Sequence, residues 1–510
     1  MKKLLSLLLA GLFICLTLAS CSKAEDMEMG VADGGFEELG AAEEISPEDE
    51  NYGKLVENEF VKAEDTPVST FSADVDTASY AYFRKLVNSG YNLSELISTG
   101  GSSIRTEEMV NYFDYDYEGP AEGELFGKNV QIATCPWNEN AVLMVLGLKS
   151  EEIEVESDNN LVFLIDVSGS MDSQDKLPLL KKAFSHLVSQ LDESDRVSIV
   201  TYSGKEDVVL EGCEGSKSEK IMKAVNGLKA KGSTNGEAGL QKAYALAEKY
   251  FVSGGNNRII MASDGDLNVG ISSAEELKEY VSEKRDSGVY LSVLGFGTGN
   301  YKDSSMEALA DNGNGVYYYI DGESEAEKVF GSDIFSTLYT VGKDVKLQIT
   351  FNPLAVDSYR LIGYENRLLN KEDFEDDTKD AGDVGAGHAV TVCYELILTE
   401  DAMAESPEWM TLAVRYKRPD EDKSNLNEYK IGVSDYTEAP SDDFKFICGI
   451  VKTSMLLHDS KYLEQKGTSA LKNIIEEISG IDLSADNEKK EFLDLLKKLH
   501  GESLNDQEAV

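Results

Sequence analysis

The segment "LVFLIDVSGSMDS", Leu161 to Ser173, carries an unbroken apolar run into one carboxylate and two hydroxyls at alternate positions, Asp166, Ser168 and Ser170. Alternate residues of an extended loop point the same way, so these oxygens face a common point. Two further donors stand at comparable places. Thr234 lies in "KGSTNG" ahead of a helical stretch, and Asp264 ends "RIIMASD". Two carboxylates and three hydroxyls make a hard, all-oxygen set, suited to Mg²⁺ with several waters retained, or to Mn²⁺. Two aspartates only neutralise such an ion, which leaves it an open position and an affinity for another carboxylate. The chemistry expected is therefore the binding of an outside acid, and no catalytic residue is assigned.

These residues meet only if a parallel sheet brings their strands to one edge. The run "LVFLID" is rich in Val, Ile, Leu and Phe and does not alternate, which suits a strand covered on both faces, with Asp166 at its carboxyl end. Ligands of open α/β sheets bind at that edge. From Asn160 to about Leu338 strand and helix patterns alternate, implying βαβ units and a doubly wound, Rossmann-like, mostly parallel sheet. After Val345, "VKLQITFNP", "SYRLIGYENRLL", "AVTVCYELIL" and "WMTLAVRYKRP" read as a β-sandwich. Two strand-like runs before the α/β block, "GKNVQIATCPW" and "AVLMVLGLKS", have no sheet of their own, so the α/β domain is expected to be inserted into the sandwich.

The expected layout is a signal peptide over 1–20, a disordered acidic tether over 21–66 and an N-terminal α+β extension over 67–125. The first part of the sandwich follows over 126–158, the α/β domain over 159–340, the second part of the sandwich over 341–438, and a helical domain over 439–510. Within the extension, Asp74 and Asp76 read as strand-end and capping residues, with Thr77 or Asp76 as the N-cap of the helix that follows.

Taken together, "DVSGS", "GSTN" and "ASDGD" closely resemble the metal-ion-dependent adhesion site of von Willebrand factor type A (VWA) domains. The resemblance implies that Asp166, Ser168, Ser170, Thr234 and Asp264 hold the metal, directly or through waters, and that an Asp or Glu of a protein partner completes its coordination. Longer stretches, "TFSADVDTASYAYFRKLVNSG", "IRTEEMVNYFDYDY", "SDGDLNVG", "DDFKF" and "LLHDSKY", resemble the bacterial YfbK-like VWA proteins. That likeness covers nearly all of the chain after the tether and speaks to architecture more than to activity. The start, "MKKLLSLLLAGLFICLTLASC", is a secretory signal whose "LASC" resembles a lipoprotein lipobox. It implies cleavage before Cys21 and a lipid on Cys21 that holds the mature protein on a membrane, outside the cytoplasm.

Composition narrows the alternatives. With 94 Asp and Glu against 48 Lys and Arg, a formal net charge of −46, the chain repels phosphate backbones, so nucleic acid is not an expected partner. Beyond the signal no apolar run reaches the roughly 18 residues of a membrane span. Cys135, Cys213, Cys393 and Cys448 form no CxxC, which argues against zinc or thiol catalysis and for buried, unpaired thiols. The stretch Asp264 to Glu275 mimics a calcium loop but follows a strand, and "GFGTGN" lacks the third glycine of a dinucleotide loop. Two other functions stay open: an accessory VWA subunit of a larger assembly, resembling that of magnesium chelatase, and a metal-dependent hydrolase. The partner's identity and the oligomeric state are not written in the sequence.

Overall fold

The computed structural model describes residues 56–152, 158–232, 236–265, 274–297, 303–333, 339–405, 408–419, 421 and 423–501. Its centre is a six-stranded sheet in the order Tyr317–Ile320, Tyr290–Phe296, Asn256–Ser263, Asn159–Asp166, Arg196–Tyr202 and Glu206–Glu214. Every neighbouring pair is parallel except the last, where Glu206–Glu214 closes the edge as an antiparallel strand. Asn159–Asp166 is buried at all its positions because successive side chains enter two different cores. Leu161, Phe163 and Ile165 pack with helix Leu177–Val188 and with Ile221 and Val225 of helix Ser218–Asn226. Val162 and Leu164 pack on the opposite side with Leu240, Ala243 and Tyr244 of helix Glu237–Lys249.

The α/β unit is inserted into a β-sandwich. One antiparallel sheet runs Val61–Lys62, Val356–Ile362, Ala389–Leu398, Val142–Ser150 and Phe126–Thr134. Strands from before and after the α/β unit therefore pair directly, Cys393 lying opposite Val145. The other sheet runs Gly382–Gly385, Thr340–Phe351, Glu408–Lys417 and Asn425–Gly432, with Val68–Ser72 also pairing with Thr340–Phe351. Between the sheets Leu146, Leu148, Val392, Tyr394, Leu347, Ile349, Leu412 and fully buried Trp409 fill one core. Among the described residues no helix is long and apolar enough to cross a membrane.

Three expectations from sequence change here. The tether does not run to residue 66: Val61–Lys62 pairs with Tyr359 and Ser358, Lys62 Nζ bonds Asp357 at 2.7 Å, and Asn58 donates to the Gly363 carbonyl. A two-residue strand has no apolar period to betray it; it forms because an edge strand offers unpaired backbone groups. The extension does not stand alone, since Val68–Ser72 joins the sandwich. Its helices Ala78–Asn88 and Thr106–Asn111 share a core with the C-terminal helices Asp442–Leu457, Gly467–Ser479 and Asn487–His500. Phe113 sits edge-on to Phe446 and Phe492, at 5.1 and 5.8 Å between ring centroids. Finally, Asp74 and Asp76 are neither strand-end acids facing water nor caps. Thr77 is the N-cap and makes no side-chain bond, while Asp74 and Asp76 converge on Arg367 at 2.9 and 3.1 Å. Asp76 also accepts from the Tyr317 N–H, tying this corner to the last strand of the central sheet. The four later cysteines are buried and unpaired, as expected, and burial pushes the Cys135 and Cys393 thiols up to about 12.

A second arginine locks helix Ala78–Asn88 to the α/β unit. Arg84 makes two bonds to Asp321, at 2.8 and 2.6 Å, one to Glu325 at 2.6 Å and one to Glu491 at 2.9 Å. Burial raises Glu325 to about 7, with Arg84 as the largest opposing influence. Removing one partner of a buried ion pair strands the other charge and costs about 3–5 kcal/mol. Arg84→Ala is therefore expected to lower the unfolding free energy, read from urea titration, by an amount of that order, while Lys62→Ala, at the exposed pair with Asp357, changes it by less than about 1 kcal/mol.

Candidate metal-binding site

Parallel register sets the site. Ile165 pairs with Ala262, so Asp166 and Asp264 leave the sheet at the same edge from adjacent strands. The Asp166 side chain is fully buried and Asp264 is only 4% exposed, because both sit where the apolar strands end and the chain turns over the sheet. The Ser168 N–H donates to Asp166 Oδ1 at 2.7 Å, folding the loop back on its own aspartate. Ser168 Oγ and Ser170 Oγ share a hydrogen bond of 2.9 Å, so the alternation in the sequence does gather the hydroxyls.

This loop is hooked to the one that precedes helix Glu237–Lys249. The Lys231 N–H donates to the Val167 carbonyl at 2.7 Å and the Gly169 N–H to the Gly232 carbonyl at 3.1 Å. Gly232 takes a φ of +85°, a left-handed turn suited to glycine. Thr234, two residues on, lies outside the described residues, as do Asp266 and most of the calcium-like stretch.

What remains bare decides the fit to a cation. Asp166 Oδ2 and Asp264 Oδ1 are both buried, and neither has a hydrogen-bond partner among the described residues. A buried carboxylate oxygen without a partner carries the full cost of its lost hydration, and a hard cation is the ligand that removes it. Burial raises Asp166 to about 6, the Ser168 bonds pull it down, and the neighbouring Asp264 charge adds to the rise. Among the described residues no group of three His, Cys, Asp or Glu side chains is placed to hold a metal ion. Asp166 and Asp264 stand at this edge with the Ser168 and Ser170 hydroxyls on the loop that follows Asp166. A cavity of about 300 Å³, at the corner where Asp74, Asp76, Asp311 and Arg367 meet, contains none of the expected ligands.

Two residues at the site were not singled out from sequence. Lys176 Nζ lies 2.9 Å from Asp264 Oδ2, and the Tyr202 hydroxyl, fully buried, adjoins Asp166. Burial is the main cause that pushes the Tyr202 phenol far up, and the Asp166 charge adds to it. Tyr202 ends the strand beside Asn159–Asp166, a position only the strand order reveals. Lys176 had a signal of its own. It is the N-cap of helix Leu177–Val188, where a cation is unfavourable.

Comparison with known proteins gives the lineage. The von Willebrand factor type A domain family matches residues 160–332, the von Willebrand factor family matches 46–145, and the family described as uncharacterized protein YfbK, C-terminal, matches 336–501. The uncharacterized protein YfbK of Escherichia coli (strain K12) is 38% identical over 484 residues, covering 89% of this chain and 82% of that protein. The chain belongs to the YfbK family of VWA proteins. The inter-alpha-trypsin inhibitor heavy chain H3 of Homo sapiens is 29% identical over 177 residues, 33% of this chain and 20% of its own. Among solved structures, a von Willebrand factor type A protein from Catenulispora acidiphila is 17% identical and covers 76% of this chain and 91% of its own, with a TM-score of 0.44.

The raised Asp166 has a consequence for stability. A carboxyl whose folded value, about 6, exceeds its ordinary 3.8 contributes stability that is fully present below the ordinary value and lost as pH climbs through the folded one. In chelator, the stability of the wild type relative to Asp166→Asn is expected to fall by roughly 2–3 kcal/mol between pH 4 and pH 7. A pH-independent difference between the two unfolding curves would refute this.

Proposed function

We propose that this protein is a membrane-anchored, extracytoplasmic binding protein whose VWA domain uses a divalent metal, Mg²⁺ or Mn²⁺, to take hold of an acidic residue on a protein partner. The observation that carries the reading is the pair of buried oxygens, Asp166 Oδ2 and Asp264 Oδ1, that have no hydrogen-bond partner among the described residues, on the sheet edge where the Ser168 and Ser170 hydroxyls are gathered. Those four residues, with Thr234 beyond the described residues, would hold the ion. When bound, it supplies a Lewis-acidic position open to a carboxylate. The chain's own residues do the rest: the sheet edge fixes the two carboxylates, and the hooked loop at Val167 to Ser170 keeps the hydroxyls beside them. Anchoring follows from Cys21, whose lipid would place the folded region on an acidic tether above the membrane.

Metal should raise the melting temperature, since a ligand that binds only the folded state stabilises it by RT ln(1 + [L]/Kd), about 2.7 kcal/mol at a hundredfold excess over Kd. Asp264→Ala should abolish the Mg²⁺-dependent shift; a shift that survives places the ion elsewhere. Partner capture from envelope extracts should vanish in chelator, return with Mg²⁺ and fail in Asp166→Ala, and capture that ignores all three refutes the carboxylate grip. Metabolic fatty-acid labelling of wild type and Cys21→Ser tests the anchor, with equal label on both as the refuting result.

A further inference from the structure

The site carries a cation of its own. Lys176 lies just past the serine loop, and its ammonium donates to Asp264 Oδ2 at 2.9 Å, with its side chain 13% exposed and that of Asp264 2%. The other oxygen, Oδ1, is bare. One carboxylate thus has one oxygen held by a fixed lysine and one buried oxygen with no partner among the described residues. The lysine stem reaches this place past Gly297, at the end of strand Tyr290–Phe296, where a Cβ would come within 2.1 Å of Lys176 Cε. Gly297 holds a φ of +77°, and its missing side chain is the slot through which the stem passes. The slot matters because Lys176 does nothing for its own helix: a positive charge at the N-cap of Leu177–Val188 opposes the helix dipole. The loop before it is pinned as well, since Asp175 accepts from Ser173 Oγ at 2.6 Å and from Lys85 at 3.1 Å. Lys176 is therefore built in, and what it is built against is Asp264.

We propose that Lys176 sets the charge of the metal site and so selects for an acidic partner. The inference rests on the metal-dependent reading above and deepens it. Among the described residues that touch the site, two aspartates and a divalent ion sum to zero, and the Lys176 ammonium brings the sum to +1. By occupying Oδ2 and repelling a second cation nearby, Lys176 weakens the hold on the metal. By leaving a net positive charge at a partly buried edge, it strengthens the hold on an incoming carboxylate. These effects have opposite signs, and loss of structure gives no such pattern, because a damaged site binds both more weakly.

The test uses the mature, full-length chain at low ionic strength, as wild type, Lys176→Met, Lys176→Gln and Lys176→Arg, each checked for folding by circular dichroism. Mn²⁺ affinity is read from the electron paramagnetic resonance of the free ion. Carboxylate affinity of the Mn²⁺-loaded protein is read from the relaxation of the fluoroacetate ¹⁹F signal. The two neutral variants are expected to bind Mn²⁺ about tenfold more tightly and fluoroacetate about tenfold more weakly, and Lys176→Arg to keep both within about threefold of wild type. Unchanged affinities, a joint loss of both, or tighter Mn²⁺ with unaltered fluoroacetate would each overturn the proposal. Asp264→Ala run alongside keeps the two ideas apart. If wild type and Asp264→Ala bind Mn²⁺ alike, the metal site itself is wrong, whereas Mn²⁺ binding lost in Asp264→Ala with no opposed shifts at Lys176 condemns only the role of the lysine.

Discussion

Parallel pairing of Asn159–Asp166 with Asn256–Ser263 is the constraint on which the site depends. Both strands are buried at every position, and what holds them there is the apolar cost of exposing Leu161 through Ile165 and Ile259 through Ala262. That non-directional force has a directional result. Two aspartates end neighbouring strands on one edge, both buried, each left with an oxygen that no group among the described residues satisfies. Neither could leave the edge without breaking a register that the two cores on either side enforce.

The rest of the molecule holds that edge still. The sandwich receives the α/β unit between Val142–Ser150 of one sheet and Thr340–Phe351 of the other, and the helical layer lies against the Tyr317–Ile320 edge of the α/β sheet, Tyr82 meeting Tyr319 at 5.6 Å between ring centroids. At this seam the acidic chain spends its few arginines in concentrated form. Arg84 gathers Asp321, Glu325 and Glu491, and Arg367 gathers Asp74, Asp76 and Asp311. Such pairs offset much of their gain by desolvation, so their effect is less on stability than on which surfaces are allowed to meet. A further link, Lys85 to Asp175, runs from the helical layer straight into the loop that carries Lys176. The helical layer is thereby joined to the candidate site through one short loop.

Much of this was legible in residue order because it is local. The apolar, non-alternating runs announce buried parallel strands, the serines at alternate positions after Asp166 announce a shared direction, and the alternation of strand with helix announces the sheet edge where Asp264 arrives. The signals that failed were those whose partner lies far along the chain. Asp74 and Asp76 look like strand-end and capping residues at a helix start, and their true partner, Arg367, is separated from Asp74 by 293 positions. Val61 and Lys62 look like the end of a tether until the edge of Val356–Ile362 is there to receive them.

Sequence alone therefore determined most of the elements and the candidate oxygen donors, since hydrophobic period and residue type are properties of short segments. Tertiary structure alone decided what surrounds those donors. Tyr202 lies beside Asp166 because of strand order, and Lys176 reaches Asp264 because Gly297, from a third strand, leaves it room. The charge of a site is a sum over groups brought close by folding, and closeness between distant segments is set by packing, which no local pattern contains.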